Sequence, residues 1–244
     1  MTDRTPVLVP VRVLEGETVP EGVPELLADT HVVLLGYHVI PEQTATGQAH
    51  LQFEDRATQR LDDYEAIFDE AGATVERRLV FTHDGQKTID RTIREHDCAA
   101  VLVPNATGPV ADVLVPVGGT RRTDRLADVV AGVFAGIGPS VTVYHVLEAG
   151  ESEADVRVHL DAMVDRLGAL GMDPSVIETR IERASDPLGA IVETAEAFDA
   201  VVMGETDPSL ATFVFGMPAD QVADRFLGPV FVVQYDPEPD GATG

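Results

Sequence analysis

Short apolar runs rich in valine and leucine alternate along this chain with longer segments whose apolar residues recur every three or four positions, and the circuit is made twice. The run VLVPV stands at 7–11 and again at 113–117. The runs at 31–42 and 140–150 share a Tyr-His-Val triplet, offset by 107 residues against 106 for the pentapeptide. Two matches at nearly one offset indicate an internal duplication. Each triplet leads into a helical pattern: Ala57, Leu61, Tyr64 and Phe68 form one stripe, stopped by Gly72, and Val156, Leu160, Met163, Val164, Leu167 and Leu170 form the other, stopped by Gly171. A strand follows in both copies. Asp84 and Asp186 then stand where helix N-caps belong, with Pro187 in the second helix's first turn, and CAAVLVP and DAVVMGE come next as strands.

Strands alternating with helices, several of them continuously apolar, predict a parallel sheet covered on both faces, and right-handed crossovers make it a doubly wound α/β fold. The expected organisation is two such sheets in tandem: a degenerate unit at 1–110, a complete one at 111–236 and a disordered tail at 237–244. The second copy has a full first helix, with Leu126, Val129, Val130, Val133 and Ile137 on its buried side, and a late helix at about 218–226 before the strand GPVFVVQY. The first copy has only GVPELLAD, broken by Pro20 and Pro24, so its helix is short or absent, and it has no final helix. A sheet face left bare by that loss needs a cover.

Charge narrows the partners. The net charge of -25, from 42 acidic against 17 basic residues, repels phosphate backbones and anionic membranes, so nucleic acid is not expected. Lys87 is the only lysine, and the acidic residues are scattered, a pattern suited to a salt-accumulating, halophilic cell in which self-repulsion is screened. No apolar run approaches the roughly 20 residues of a bilayer span. The N-terminus does not read as a secretory signal, and the expected location is the cytoplasm. Cys98, the only cysteine, permits no internal disulfide and reads as a small buried filler.

The first strand VLVPV, a second ending YHV, a fourth ending VVMG and a closing GPVFVV together resemble the universal stress protein family, over essentially the whole chain and most strongly at 113–233. The resemblance implies five-stranded parallel sheets of flavodoxin-like type, strand order 3-2-1-4-5. It also implies pairing through the last strand, either in a homodimer or as an internal pseudo-dimer. Some members bind ATP through a loop of glycine, two residues, glycine, nine residues, then glycine and a hydroxyl residue. Here Met203-Gly204 matches the start, but Asp207 takes the second glycine position, and Gly216 comes one residue early, followed by Met217. Pro104 replaces the first glycine in the other copy. Where nucleotide-binding members carry an aspartate after the first strand, this chain has Arg12 and Gly118. Carried onto this sequence, the nucleotide contacts would be Pro116, Val117, Gly118, Val146, Met203, Gly204, Gly216 and Met217, with ATP or AMP as ligand and no required cofactor.

Two strand-end histidines, His38 and His145, could contact an anion, or each could be a half-buried ring bonded to backbone. Arg121, Arg122 and Arg125 form the densest basic patch, at the start of a helix beside Gly118 and Gly119. No metal-ligand spacing, HExxH, Walker loop or nucleophile elbow occurs. The reading that follows is a non-enzymatic, stress-response binding protein with weak or lost nucleotide affinity. One alternative is an ATP- or AMP-binding sensor or slow ATPase using the 204–217 loop, and another is a soluble module that contacts a membrane transporter.

Overall fold

Both copies of VLVPV become central strands, and their alternation accounts for the recurring pentapeptide. In β1 (Pro6–Arg12), Val7, Val9 and Val11 point into one core while Leu8 points into another. In β5 (Asp112–Pro116) and the residue after it, Val113, Val115 and Val117 face the same large core and Leu114 faces away. All eight side chains are buried, so both sheet faces must be apolar here.

The protein is known from a computed structural model, which describes residues 4–118, 123–148, 150–204 and 228–235. After β1 come α1 (Val23–Leu26), β2 (His31–Val39), α2 (Thr46–Ala71), β3 (Thr74–Thr82), α3 (Gly85–Glu95) and β4 (Ala100–Val103). The second copy runs β5, α4 (Thr123–Phe134), β6 (Ser140–Leu147), α5 (Glu153–Ala169), a short 3-10 turn (Pro174–Val176), β7 (Ile177–Arg183), α6 (Pro187–Ala195), β8 (Ala200–Gly204) and β9 (Val230–Val233). The expected helix at 218–226 and the tail at 237–244 lie outside the described residues.

The helix signals act as their chemistry requires. The carboxylates of Asp84 and Asp186 accept from the amides of Lys87 and Gly189, capping α3 and α6. Gly72 ends α2 at φ 106 and Gly171 follows α5 at φ 99, conformations that a Cβ disfavours. The stripe of Ala57, Leu61, Tyr64 and Phe68 is buried. Two positions differ from expectation. Leu170 is the C-cap of α5 and 37% exposed, and Ile137 lies beyond the end of α4 and is 43% exposed, because each helix stops short of that residue.

The expectation of two separate sheets is corrected. One nine-stranded sheet runs β3-β2-β1-β4-β9-β8-β5-β6-β7. Within each half the pairing is parallel and doubly wound; the second half keeps the order 3-2-1-4-5 and the first keeps 3-2-1-4. The halves meet where β9 pairs parallel with β8 and antiparallel with β4, Ala100 opposite Val233 and Val103 opposite Val230. The physical reason lies in the deletion. A first copy without a fifth strand leaves the edge of β4 unpaired, β9 has an open edge of its own, and each satisfies the other's backbone groups.

The same junction covers the bare face. Helix α4 is buried through Leu126, Ala127, Val129, Val130, Val133 and Phe134, and Phe134 meets Phe231 of β9 edge-on at 5.6 Å. On its other side α4 and the turn that follows it carry glycines. Gly132 in α4 lies against Thr5 and Gly136 in the turn against the Asp29 carboxylate, both in the first half, so closely that a Cβ at either site would collide. One apolar core therefore runs across both halves under α1, α2, α4 and α5. On the opposite sheet face α3 and α6 cover separate, smaller clusters.

Candidate functional site

Proline opens the sheet where a ligand would enter. Val117 donates its amide to Tyr144 of β6, so alternation directs the backbone groups of residue 116 toward β8. Residue 116 is proline, which has no N–H. The ladder between β5 and β8 accordingly runs only through Val113↔Ala200 and Leu114↔Val201. Beyond it the strands stop hydrogen-bonding, at the point where strand order reverses, the position at which open parallel sheets form a crevice. Pro10 does the same in the first half: the β1–β4 ladder ends at Leu8↔Val101.

The first half has filled its crevice from within. Arg12 donates from Nε to the Tyr37 hydroxyl at 3.2 Å and from a terminal nitrogen to Glu15 at 3.1 Å, and its amide donates to Glu17 at 2.7 Å. The tyrosine bond holds its guanidinium still more firmly protonated. Tyr64 donates to the Glu17 carbonyl, and Arg60 donates to Tyr64 at 3.0 Å. Above β4, residues 104–107 fold back until the Thr107 amide meets the Glu21 carbonyl at 3.0 Å. Gly22, at φ 82, lies against the Thr107 carbonyl, where no side chain fits.

In the second half the candidate contacts divide. Pro116, Val117, Val146 and Met203 are buried; Val117 belongs to the large core, and Val146 and Met203 to the cluster beneath α6. Gly118 is exposed and Gly204 partly exposed. Gly216, Met217, Arg121 and Arg122 lie outside the described residues. Arg125, the remaining arginine of the basic patch, donates to the Gln234 carbonyl at 2.9 Å and lies 3.9 Å from Asp97. It is a strut between α4, the end of β9 and the first half.

The two histidines, equivalent by repeat, have different surroundings. His145 is buried, with Nδ1 2.6 Å from the Val117 carbonyl and Nε2 2.9 Å from the Glu151 carboxylate. Both partners are acceptors, so both bonds form together only when each nitrogen carries a hydrogen or the carboxyl supplies one. The amide of Glu148 donates to Glu151 at 2.7 Å, and this bond, assisted by His145 against partial burial, holds the Glu151 carboxyl below the usual range. His38 lies instead between Phe53 and Phe81, ring centroids 5.8 and 6.2 Å away, and its Nδ1 is buried without a hydrogen-bond partner. Cys98 is buried and its thiol is pushed up to about 12, in keeping with an inert filler.

Sequence reasoning missed two residues that shape the site. Glu151 lies in the loop between β6 and α5, where no periodicity marks it. Tyr235, just past β9, sets its ring over Gly204: Cε2 and Cζ stand 2.8 and 3.0 Å from where a Cβ at 204 would be. No cluster of His, Cys, Asp and Glu suited to a metal occurs among the described residues, and no described helix is long and apolar enough to cross a membrane.

No protein-family model and no curated protein matches the sequence. Solved structures do. A universal stress protein from Archaeoglobus fulgidus DSM 4304 aligns over 94% of this chain and 98% of its own, at 21% identity and TM-score 0.63. A universal stress protein from Archaeoglobus fulgidus in complex with dAMP aligns over 52% of this chain and 100% of its own, at 20% identity and TM-score 0.40. A protein of unknown function from Pseudomonas aeruginosa PAO1 aligns over 94% and 92%, at 17% identity and TM-score 0.49. The chain thus has the α/β fold of universal stress proteins.

Proposed function

We propose that this protein is a non-enzymatic, regulatory binding protein of universal stress protein type whose affinity for nucleotide is weak or lost. The observation that carries the reading is the closure of the Val117 carbonyl by His145. This carbonyl stands one residue past β5 and is directed to β6, and its 2.6 Å bond to a buried ring engages the backbone of the strand end beside the crevice. In the first half the amide and guanidinium of Arg12, at the end of β1, are taken up by Glu17, Tyr37 and Glu15. Asp207, three positions after Gly204 in the sequence, adds a charge that repels phosphate. The test is calorimetric titration with ATP and AMP at high salt. No heat of binding is expected from either nucleotide, and micromolar binding of one would overturn the reading.

A second reading, an ATP- or AMP-binding sensor or slow ATPase, is favoured by the end of the β5–β8 ladder at Leu114↔Val201 beside the exposed Gly118. Its mark would be micromolar affinity in that titration, with slow release of phosphate from ATP. Gly204→Asp does not isolate this reading, because any side chain at 204 collides with Tyr235 and loss of binding would report displaced tyrosine as readily as lost phosphate contact. Contact with a transporter would appear as co-purification with membranes.

A further inference from the structure

We propose that Tyr235 is a built-in plug of the second half's crevice, seated on Gly204 in the space through which an anionic ligand would approach the backbone. Gly204 ends β8 beside the parted carboxyl end of β5. Its backbone does not take the left-handed conformation that would call for glycine, so what its missing Cβ serves there is a close approach. The group that makes that approach is the phenol end of Tyr235. From the end of β9 the side chain reaches across β8, its hydroxyl and Cε2 nearest to Gly204, and it packs against the large core. The ring thus uses the opening on which an oxyanion would otherwise rest.

The seat is braced from three sides. Preceding Tyr235, Gln234 gives its carbonyl to Arg125 of α4 at 2.9 Å, and its amide donates to the Ala99 carbonyl of the first half at 2.9 Å. Beneath the ring, Gly204 leaves the necessary room. Because Ala99 immediately precedes β4, the strand that pairs with β9, the joint between the halves also fixes the plug. This gives the degenerate first half a task in the second half's chemistry.

The inference rests on reading the second-half crevice as the site of nucleotide contact, and the experiment separates the two. AMP is titrated calorimetrically at high salt into the wild-type protein and into Tyr235→Ala, Tyr235→Leu and Tyr235→Phe. The leucine variant keeps apolar packing should the alanine variant fail to fold. We expect the wild-type and phenylalanine proteins to be silent, and the alanine and leucine variants to gain at least tenfold in affinity over the wild-type limit. If all four are silent, the plug is overturned and the reading of a protein without nucleotide affinity stands. If the wild type binds AMP at micromolar concentrations, both fall. Binding by the phenylalanine variant equal to that of the alanine variant overturns the plug alone, because the ring would then obstruct nothing.

Discussion

The Glu151 carboxyl group is hydrogen-bonded to Nε2 of His145 at 2.9 Å and accepts from the Glu148 amide at 2.7 Å, so it ties the β6–α5 loop to a buried ring at the carboxyl end of the sheet. Through Nδ1 the same ring reaches the Val117 carbonyl, and the chain passes from loop to β6 to β5. Removing the carboxylate leaves a buried imidazole nitrogen without its acceptor. Glu151→Ala should cost about 1–3 kcal/mol of stability, read from denaturant midpoints at neutral pH.

The pH dependence of that cost has a definite sign. The folded Glu151 carboxyl titrates below its unfolded value, so its contribution is fully present above the ordinary carboxylate range and is lost as pH falls through the lower, folded value. The contribution of the Glu151 charge to the difference between wild type and Glu151→Gln should be complete above pH about 5 and shrink below about 4. Parallel denaturation curves across that interval check it, since the other carboxylates titrate alike in both proteins.

Phe134 and Phe231 are fully buried and edge-on at 5.6 Å, one from α4 and the other from the strand that joins the halves. Phe134→Ala should destabilise by about 3–5 kcal/mol. Since one apolar core spans both halves, the loss should lower a single cooperative transition, with near- and far-ultraviolet dichroism changing together. A variant that melts in two steps would show the halves to be energetically separate.

Gly132→Ala tests the contact between α4 and Thr5. At an exposed helical site this change stabilises by about 1 kcal/mol, because alanine is the better helix former. Here the new methyl would stand 2.9 Å from the Thr5 Cβ, closer than carbons tolerate. The sign should reverse and the thermal midpoint fall.

Salt should stabilise the whole molecule. With a net charge of -25, self-repulsion acts against the compact state, and at 1 M salt the screening length falls to about 3 Å. The denaturation midpoint should rise steadily from low to molar potassium chloride. Insensitivity to salt would mean that the acidic side chains are spaced widely enough to ignore one another.

Much of this architecture could be read from residue order because it rests on local chemistry. Valine alternation marked both central strands, since a strand buried on two faces admits little else, and the caps at Asp84 and Asp186 and the stops at Gly72 and Gly171 answer to backbone geometry within a few residues. The fate of the edges was decided elsewhere. Neither β4 nor β9 carries a signal naming the other as partner; they meet because each has unpaired backbone groups and glycines in α4 and just past its end leave room for Thr5 and Asp29. The crevice divides in the same way. Pro116 announces a missing donor in its own letter, while Glu151 beneath His145 and Tyr235 over Gly204 become neighbours only when separate loops converge above a common sheet, a relationship of distance in space that order along the chain does not encode.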